Sequence, residues 1–181
     1  MTDKSHQHNV RFELEHGRIR TSDDEGALVV PLTALRELTT DVAVGAKIGG
    51  ALGRALGSRI AKRLGASQVH SAPLERVASE LTAEFALHGL GTLALERWGY
   101  ALVIVLRGEA FRAEFLGELV RGAVEAASGS RVWCLELERT QNEVRLLLSS
   151  ASAVDRVRAW LANGIAWGDA ITRLHSRGGV S

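Results

Sequence analysis

Cysteine is almost missing from this chain. Cys134 stands alone among 181 residues, so the chain can form no internal disulfide and cannot by itself supply the thiolates of a structural zinc site. A reducing, cytoplasmic setting is the expectation that follows. A surplus of either charge is missing as well: 22 basic side chains face 21 acidic ones, for a formal net charge of +1. No global field announces nucleic acid or acidic lipid as a partner, and electrostatic specificity has to be local. The opening MTDKSHQHNV lacks the apolar run of a secretory signal, and no window approaches the roughly 18 apolar residues of a membrane-spanning helix.

Catalytic signatures are equally scarce. The glycine run GAKIGGA has neither the terminal Lys-Ser/Thr of a phosphate-binding loop nor a strand to deliver it. Dinucleotide fingerprints, a serine nucleophile elbow and a cysteine–histidine pairing do not stand out. His16, His70, His88 and His175 are scattered beside turns and helix ends, without the spacing of a zinc helix. His6 and His8 fall in a polar tail, and Asp23, Asp24 and Glu25 suit a solvated turn better than an acid–base cluster. The expectation is a protein that is not an enzyme, with no catalytic residue, no cofactor and no metal.

What the chain does contain is the material of a core. Apolar residues make up 46% of it, enough for one substantial domain, expected over residues 9–175 between tails at 1–8 and 176–181. In NVRFELEHGRIRTSDDEGALVVPL, Val10, Phe12 and Leu14 alternate with polar neighbours and the pattern returns at Ile19, which predicts two or three short strands. Pro31 suits the first turn of a helix carried by Leu32, Leu35 and Leu38, and Thr40 or Asp41 offers a fresh N-cap for a second. Pro73 opens a third helix through Leu74, Val77, Leu81, Phe85 and Leu87, closed by Gly89.

TLALERW and YALVIVL flank Gly99 as a hairpin whose second strand, apolar on both faces, is expected to be covered on both. A fourth helix is expected over Glu109 to Ala127, ending at Gly129. RVWCLELE and EVRLLLS make a further hairpin, with Val132, Cys134 and Glu136 on one face and Trp133, Leu135 and Leu137 on a core face. A final helix runs from Ser152 to Leu174, with a break signalled at Asn163-Gly164. Strands, three helices, hairpin, helix, hairpin, helix is the order of an α+β fold, a helical layer packed on a twisted antiparallel sheet.

The most distinctive segment is AVGAKIGGALGRALGSRIAKRLG. Val44, Ile48, Leu52, Leu56, Ile60 and Leu64 recur every fourth residue, and Gly45, Gly49, Gly53 and Gly57 recur beside them. Each glycine costs a helix about 1 kcal/mol relative to alanine, so a compensating close approach of another helix is expected along that ridge. Gly45, Gly49, Gly53 and Gly57, with Leu52 and Leu56, are therefore read as a dimerisation or helix-packing surface. Lys47, Arg54, Arg59, Lys62 and Arg63 follow without one acidic residue before Leu74. Membrane and nucleic-acid contact are the disfavoured readings of this basic helix, because its charges sit among glycines and aliphatics.

The segments LGRALGSRIAKRLG, LERVASELTAEFALHGLG and LALERWGYALVIVL, in this element order, resemble the four-vinyl-reductase domain superfamily, which includes the small core subunits of the TRAPP vesicle-tethering complex. The resemblance covers residues 9–149, and the C-terminal helix of 150–175 lies beyond it. It implies dimerisation through the early helices and a buried apolar cavity. Members bind tetrapyrrole precursors, sense aromatic compounds ahead of transcriptional activators, or serve as assembly subunits. Metal-binding members place cysteines around the last hairpin, where this chain has only Cys134, so an inherited zinc or haem role is not expected.

Two functional expectations follow. The leading one is a non-enzymatic interaction or assembly domain that pairs with itself through the glycine-rich helix and engages an unidentified protein. The alternative is a sensor or carrier of a small hydrophobic molecule (a lipid, an aromatic or a tetrapyrrole) in an apolar pocket near Phe85, Phe111, Phe115, Trp133 and Cys134. Cys134 itself reads as a small structural residue rather than a nucleophile. Trp133 and Trp160 read as core, with Trp98 and Trp167 the more exposed.

Overall fold

The computed structural model describes residues 11–16, 18–20, 26–27, 29–65, 74–99, 101–108 and 111–176. The tails and the expectations for His6, His8, Asp23 to Glu25, His70 and Pro73 lie outside the described residues. The chain forms two compact units, Met1–Glu37 and Leu38–Ser181, so the single span expected from 9 to 175 divides near the end of the first helix. In the first unit, β1 (Arg11–Glu13), a 3-10 turn (Leu14–His16), β2 (Arg18–Arg20) and β3 (Gly26–Ala27) build an antiparallel sheet in the order β1-β2-β3. Phe12 pairs with Ile19, and Ile19 with Ala27. Helix α1 (Leu32–Leu38) follows, the Pro31 carbonyl accepting the Leu35 amide at 3.0 Å.

The second unit begins with α2 (Val42–Leu64). Asp41 caps it, its side chain accepting the Val44 amide at 2.9 Å, and Lys62 and Arg63 sit where the helix dipole favours cations. Helix α3 (Leu74–Leu87) ends at Gly89, where φ is 66° and the Leu90 amide reaches back to the Phe85 carbonyl at 2.9 Å. That left-handed cap is the reason for a glycine there. Helix α4 (Ala113–Ser128) starts four residues later than expected and stops at Gly129, again left-handed.

Four strands form the main sheet: β4 (Thr92–Trp98), β5 (Ala101–Arg107), β6 (Trp133–Arg139) and β7 (Glu143–Ser149), in the order β4-β5-β7-β6. The interior strand β5 is apolar on both faces, β7 is so over Leu146, Leu147 and Leu148, and both faces are covered there. Ala101, Val103, Val105 and Leu147 pack with Val154 and Val157 of α5 (Ala151–Ala162) and Ala170 and Ile171 of α6 (Trp167–Ser176). Ile104, Leu106, Leu146 and Leu148 alternate to the opposite face, where α3 and α4 contact the sheet. The Asn163-Gly164 break thus divides the expected C-terminal helix into two, and these supply a second helical layer.

The glycine ridge of α2 lies against α4 of the same chain. A Cβ at Gly53 would stand 2.9 Å from both the Ala123 nitrogen and the Leu119 carbonyl carbon and closer still to the Leu119 oxygen; Gly49 meets the Phe115 carbonyl and Gly57 that of Ala123 in the same way. Gly122 of α4 answers from the other side, where a Cβ would stand 2.8 Å from the Gly50 oxygen. A Cβ at Gly45 would meet the Thr39 backbone instead of α4, its carbonyl oxygen at 3.0 Å. Helix packing is therefore the use of the ridge. Of the two expected uses, helix packing is the one the fold shows: α4 occupies the face at Gly49, Gly53 and Gly57, and no dimer is shown. Leu56 is wholly inside the core and Leu52 is half-buried.

The basic character of α2 finds its complement in α3. Arg63 Nε bonds Glu80 at 2.9 Å and Arg63 Nη2 lies 2.5 Å from Glu84, whose side chain is 1% exposed. His88 Nδ1 contacts the Glu84 carbonyl at 2.9 Å, while its Nε2 lies 3.2 Å from Arg59 Nη1. Burial works against the Arg63 charge, but the field and hydrogen bonds of Glu84 and Glu80 raise its pKa above the ordinary guanidinium value. Two of the five cations in the basic run are thus consumed inside the unit.

Candidate functional site

Between α4 and the edge strand β6 runs a groove of about 920 Å³, within the range of drug-sized ligand sites. One wall is α4, through Ala113, Glu114, Gly117, Glu118, Arg121 and Glu125; the other side carries Val132, Trp133, Cys134, Leu135 and Glu136, with Arg158 of α5. Its space traces to Gly117, which turns toward β6: a Cβ there would meet only the Cys134 sulfur, at 4.0 Å. The direction of the groove is fixed at both ends. The Glu125 carboxylate accepts the Val132 amide at 3.2 Å, and Arg139 Nη1 donates to the Phe111 carbonyl at 2.8 Å, so β6 runs antiparallel to α4.

The charged side chains of the groove are mostly committed. Arg121 binds Glu118 closely and Glu125 at 3.1 Å, Glu136 pairs with Arg139 at 2.7 Å, and Arg158 with Asp155 at 2.6 Å. Glu114 and Arg131 have no ion-pair partner among the described residues. Cys134 keeps part of its surface accessible, yet burial, reinforced by the negative charge of Glu118, pushes its thiol up to about 12. It is a neutral, weakly polar wall and not a nucleophile at physiological pH.

The five residues expected to line an apolar pocket divide. Trp133 and Cys134 line the groove. Phe85, Phe111 and Phe115 do not: each is at most 3% exposed, with the ring centroids of Phe111 and Phe115 4.7 Å apart and the rings tilted by 30° in the core. Trp133, read as core, is instead 41% exposed, because β6 is an edge strand and its first residue lies at the sheet corner. Trp160 packs against the core as expected. Trp98 is exposed and meets Trp167 edge to face at 5.1 Å, with Arg145 over the Trp167 ring. Arg145 also binds Glu96 and Glu143, which makes this a satisfied ion-pair cluster and not an opening for a ligand.

Gly117, Glu114 and Arg131 were not singled out by sequence reasoning. A usable signal existed for the first: a second mid-helix glycine in FLGELVRGAV, out of register with the one that meets α2. Among the described residues no three of His, Cys, Asp and Glu stand close enough to hold a metal ion, and no described helix is long and apolar enough to cross a membrane.

No protein-family model matches the chain, and no curated protein matches it in sequence. In fold it is similar to the phenol-responsive sensory domain of the transcription activator PoxR, solved with phenol. The TM-score is 0.57 over 84% of this chain and 90% of that one, at 15% identity.

Proposed function

We propose that this chain is a non-enzymatic binding domain whose receptor surface is the groove between α4 and β6, and that its ligand is a segment of a partner protein. The observation that carries the reading is the groove itself: a ligand-sized concavity held open by Gly117, with an exposed indole at its rim and a neutral thiol on its wall. Binding small hydrophobic molecules is a second reading, favoured by the likeness of fold to a sensory domain solved with phenol. Kinship with the four-vinyl-reductase domain superfamily belongs to the same proposal, supported by the element order. Self-association would need another face, and the apolar surface of Leu38, Val42 and Val44, each about half exposed, is the candidate; sedimentation of Val42→Glu against wild type tests it.

The test of the groove is Gly117→Leu, which fills it from a helix that tolerates leucine well. Tryptophan fluorescence is titrated with phenol, with a medium-chain fatty acid and with displayed peptides, on wild type and variant. Ligands that bind wild type and are lost in the variant support the reading. Ligands that bind both equally well overturn it.

A further inference from the structure

The groove has a floor of a particular kind. Among the described strands β6 has one neighbour, β7, so no described strand pairs with its other edge. The Thr140 amide donates to the Glu143 carbonyl at 2.8 Å at the hairpin end, and the register slips by one residue between Glu136 and Glu138. Counting back from that pair through the extra residue, Leu137, turns the main-chain N–H and C=O of Cys134 and Glu136 away from β7 and toward the groove. Among the described residues no hydrogen bond to these groups is made from outside the sheet. At the opposite edge of the sheet, by contrast, the Thr82 hydroxyl of α3 donates to the Leu93 carbonyl of β4 at 2.8 Å. The β6 edge is flanked instead by α4 rising along one side and Arg158 of α5 on the other.

We infer that the groove takes an extended peptide segment of a partner protein, which adds to the sheet as a strand beside β6. This rests on the groove's being the receptor surface. Unpaired main-chain donors and acceptors along a trough recognise another main chain. The trough fits in length: from Glu114 to Glu125 α4 rises about 17 Å, the span of about five extended residues. Charge fits it at both ends, since uncommitted Arg131 lies where β6 begins and uncommitted Glu114 near where it finishes. An antiparallel segment with a basic residue first and an acidic residue last meets both.

The test uses the full chain and an array of acetylated, amidated pentapeptides. Each has lysine first, aspartate last and alternating small apolar and polar residues between, and binding is read by fluorescence anisotropy. Expected are binders whose affinity falls by about tenfold or more when every second amide is N-methylated and by less than about twofold when the intervening amides are. Arg131→Glu should weaken them by about tenfold, and peptides with lysine in place of the terminal aspartate should recover that loss. Binding indifferent to N-methylation overturns strand addition. If no peptide binds while phenol binds wild type and not Gly117→Leu, the peptide class is wrong and the groove stands as a receptor. If nothing that binds is lost in Gly117→Leu, the groove reading fails with it.

Discussion

Substituting one methyl group tests the reason for the glycine ridge. In Gly53→Ala the new Cβ would stand 2.9 Å from the Ala123 nitrogen and the Leu119 carbonyl carbon, and nearer still to the Leu119 oxygen. All three are backbone atoms of α4, so no rotamer relieves the clash and the two helices must separate by about 1 Å. Separation loosens packing around Leu56, Ile60, Phe115 and Leu119, each fully buried. Alanine recovers about 1 kcal/mol of helix propensity. Against this stand strain and lost contact of about 3–5 kcal/mol, in the range of overpacking combined with a buried void. The net loss expected is about 2–4 kcal/mol, or about 5–15 °C in Tm for a unit of this size.

Gly50→Ala is the control, since its Cβ would press only on the flexible ends of Arg54 and Glu118, at 3.3 and 3.5 Å, with the Glu118 Cβ in ordinary contact at 3.9 Å. It should be neutral or stabilising by up to about 1 kcal/mol. Urea unfolding followed by circular dichroism measures both. A Gly53→Ala protein as stable as wild type would refute close packing as the purpose of the ridge.

Two further outcomes follow from the interior. Glu84→Ala leaves Arg63 and Arg59 without their shared buried carboxylate and should cost about 3–5 kcal/mol in urea unfolding; a loss below about 1 kcal/mol would show the network to be solvent-relaxed. Because the Cys134 thiol is raised to about 12 from 9.0, the unfolded chain loses its proton first. Stability should therefore fall as pH climbs from about 9 toward 12, and Cys134→Ala should flatten that slope. Alkylation of native Cys134 at pH 8 should be slow and should quicken about tenfold per pH unit; rapid labelling at pH 8 refutes a raised pKa.

Much of the architecture was legible in the residues because its causes are local. Asp41 caps α2 and Gly89 ends α3 through atoms within a few positions of each other. The apolar run of β5 demanded cover on both faces, and the Asn163-Gly164 break was visible before its consequence, a second helical layer. Leu137 lies in the core as the alternation required, while Leu135 packs against that core and also lines the groove beside Cys134 and Glu136.

What local pattern could not supply was the identity of neighbours. The glycine repeat announced that a backbone would lie against α2, but an α4 more than fifty positions later and a second molecule demand the same small residues. The tertiary structure decided for α4. In the same way Trp133 has the composition of core and the position of an edge, and only strand order places it at the rim of a groove. Helix caps, strand alternation and close-approach glycines are written in the sequence because they act over one turn or one pleat. Which faces meet, and which strand edge stays open, depends on contacts between distant segments, and that choice belongs to the folded chain.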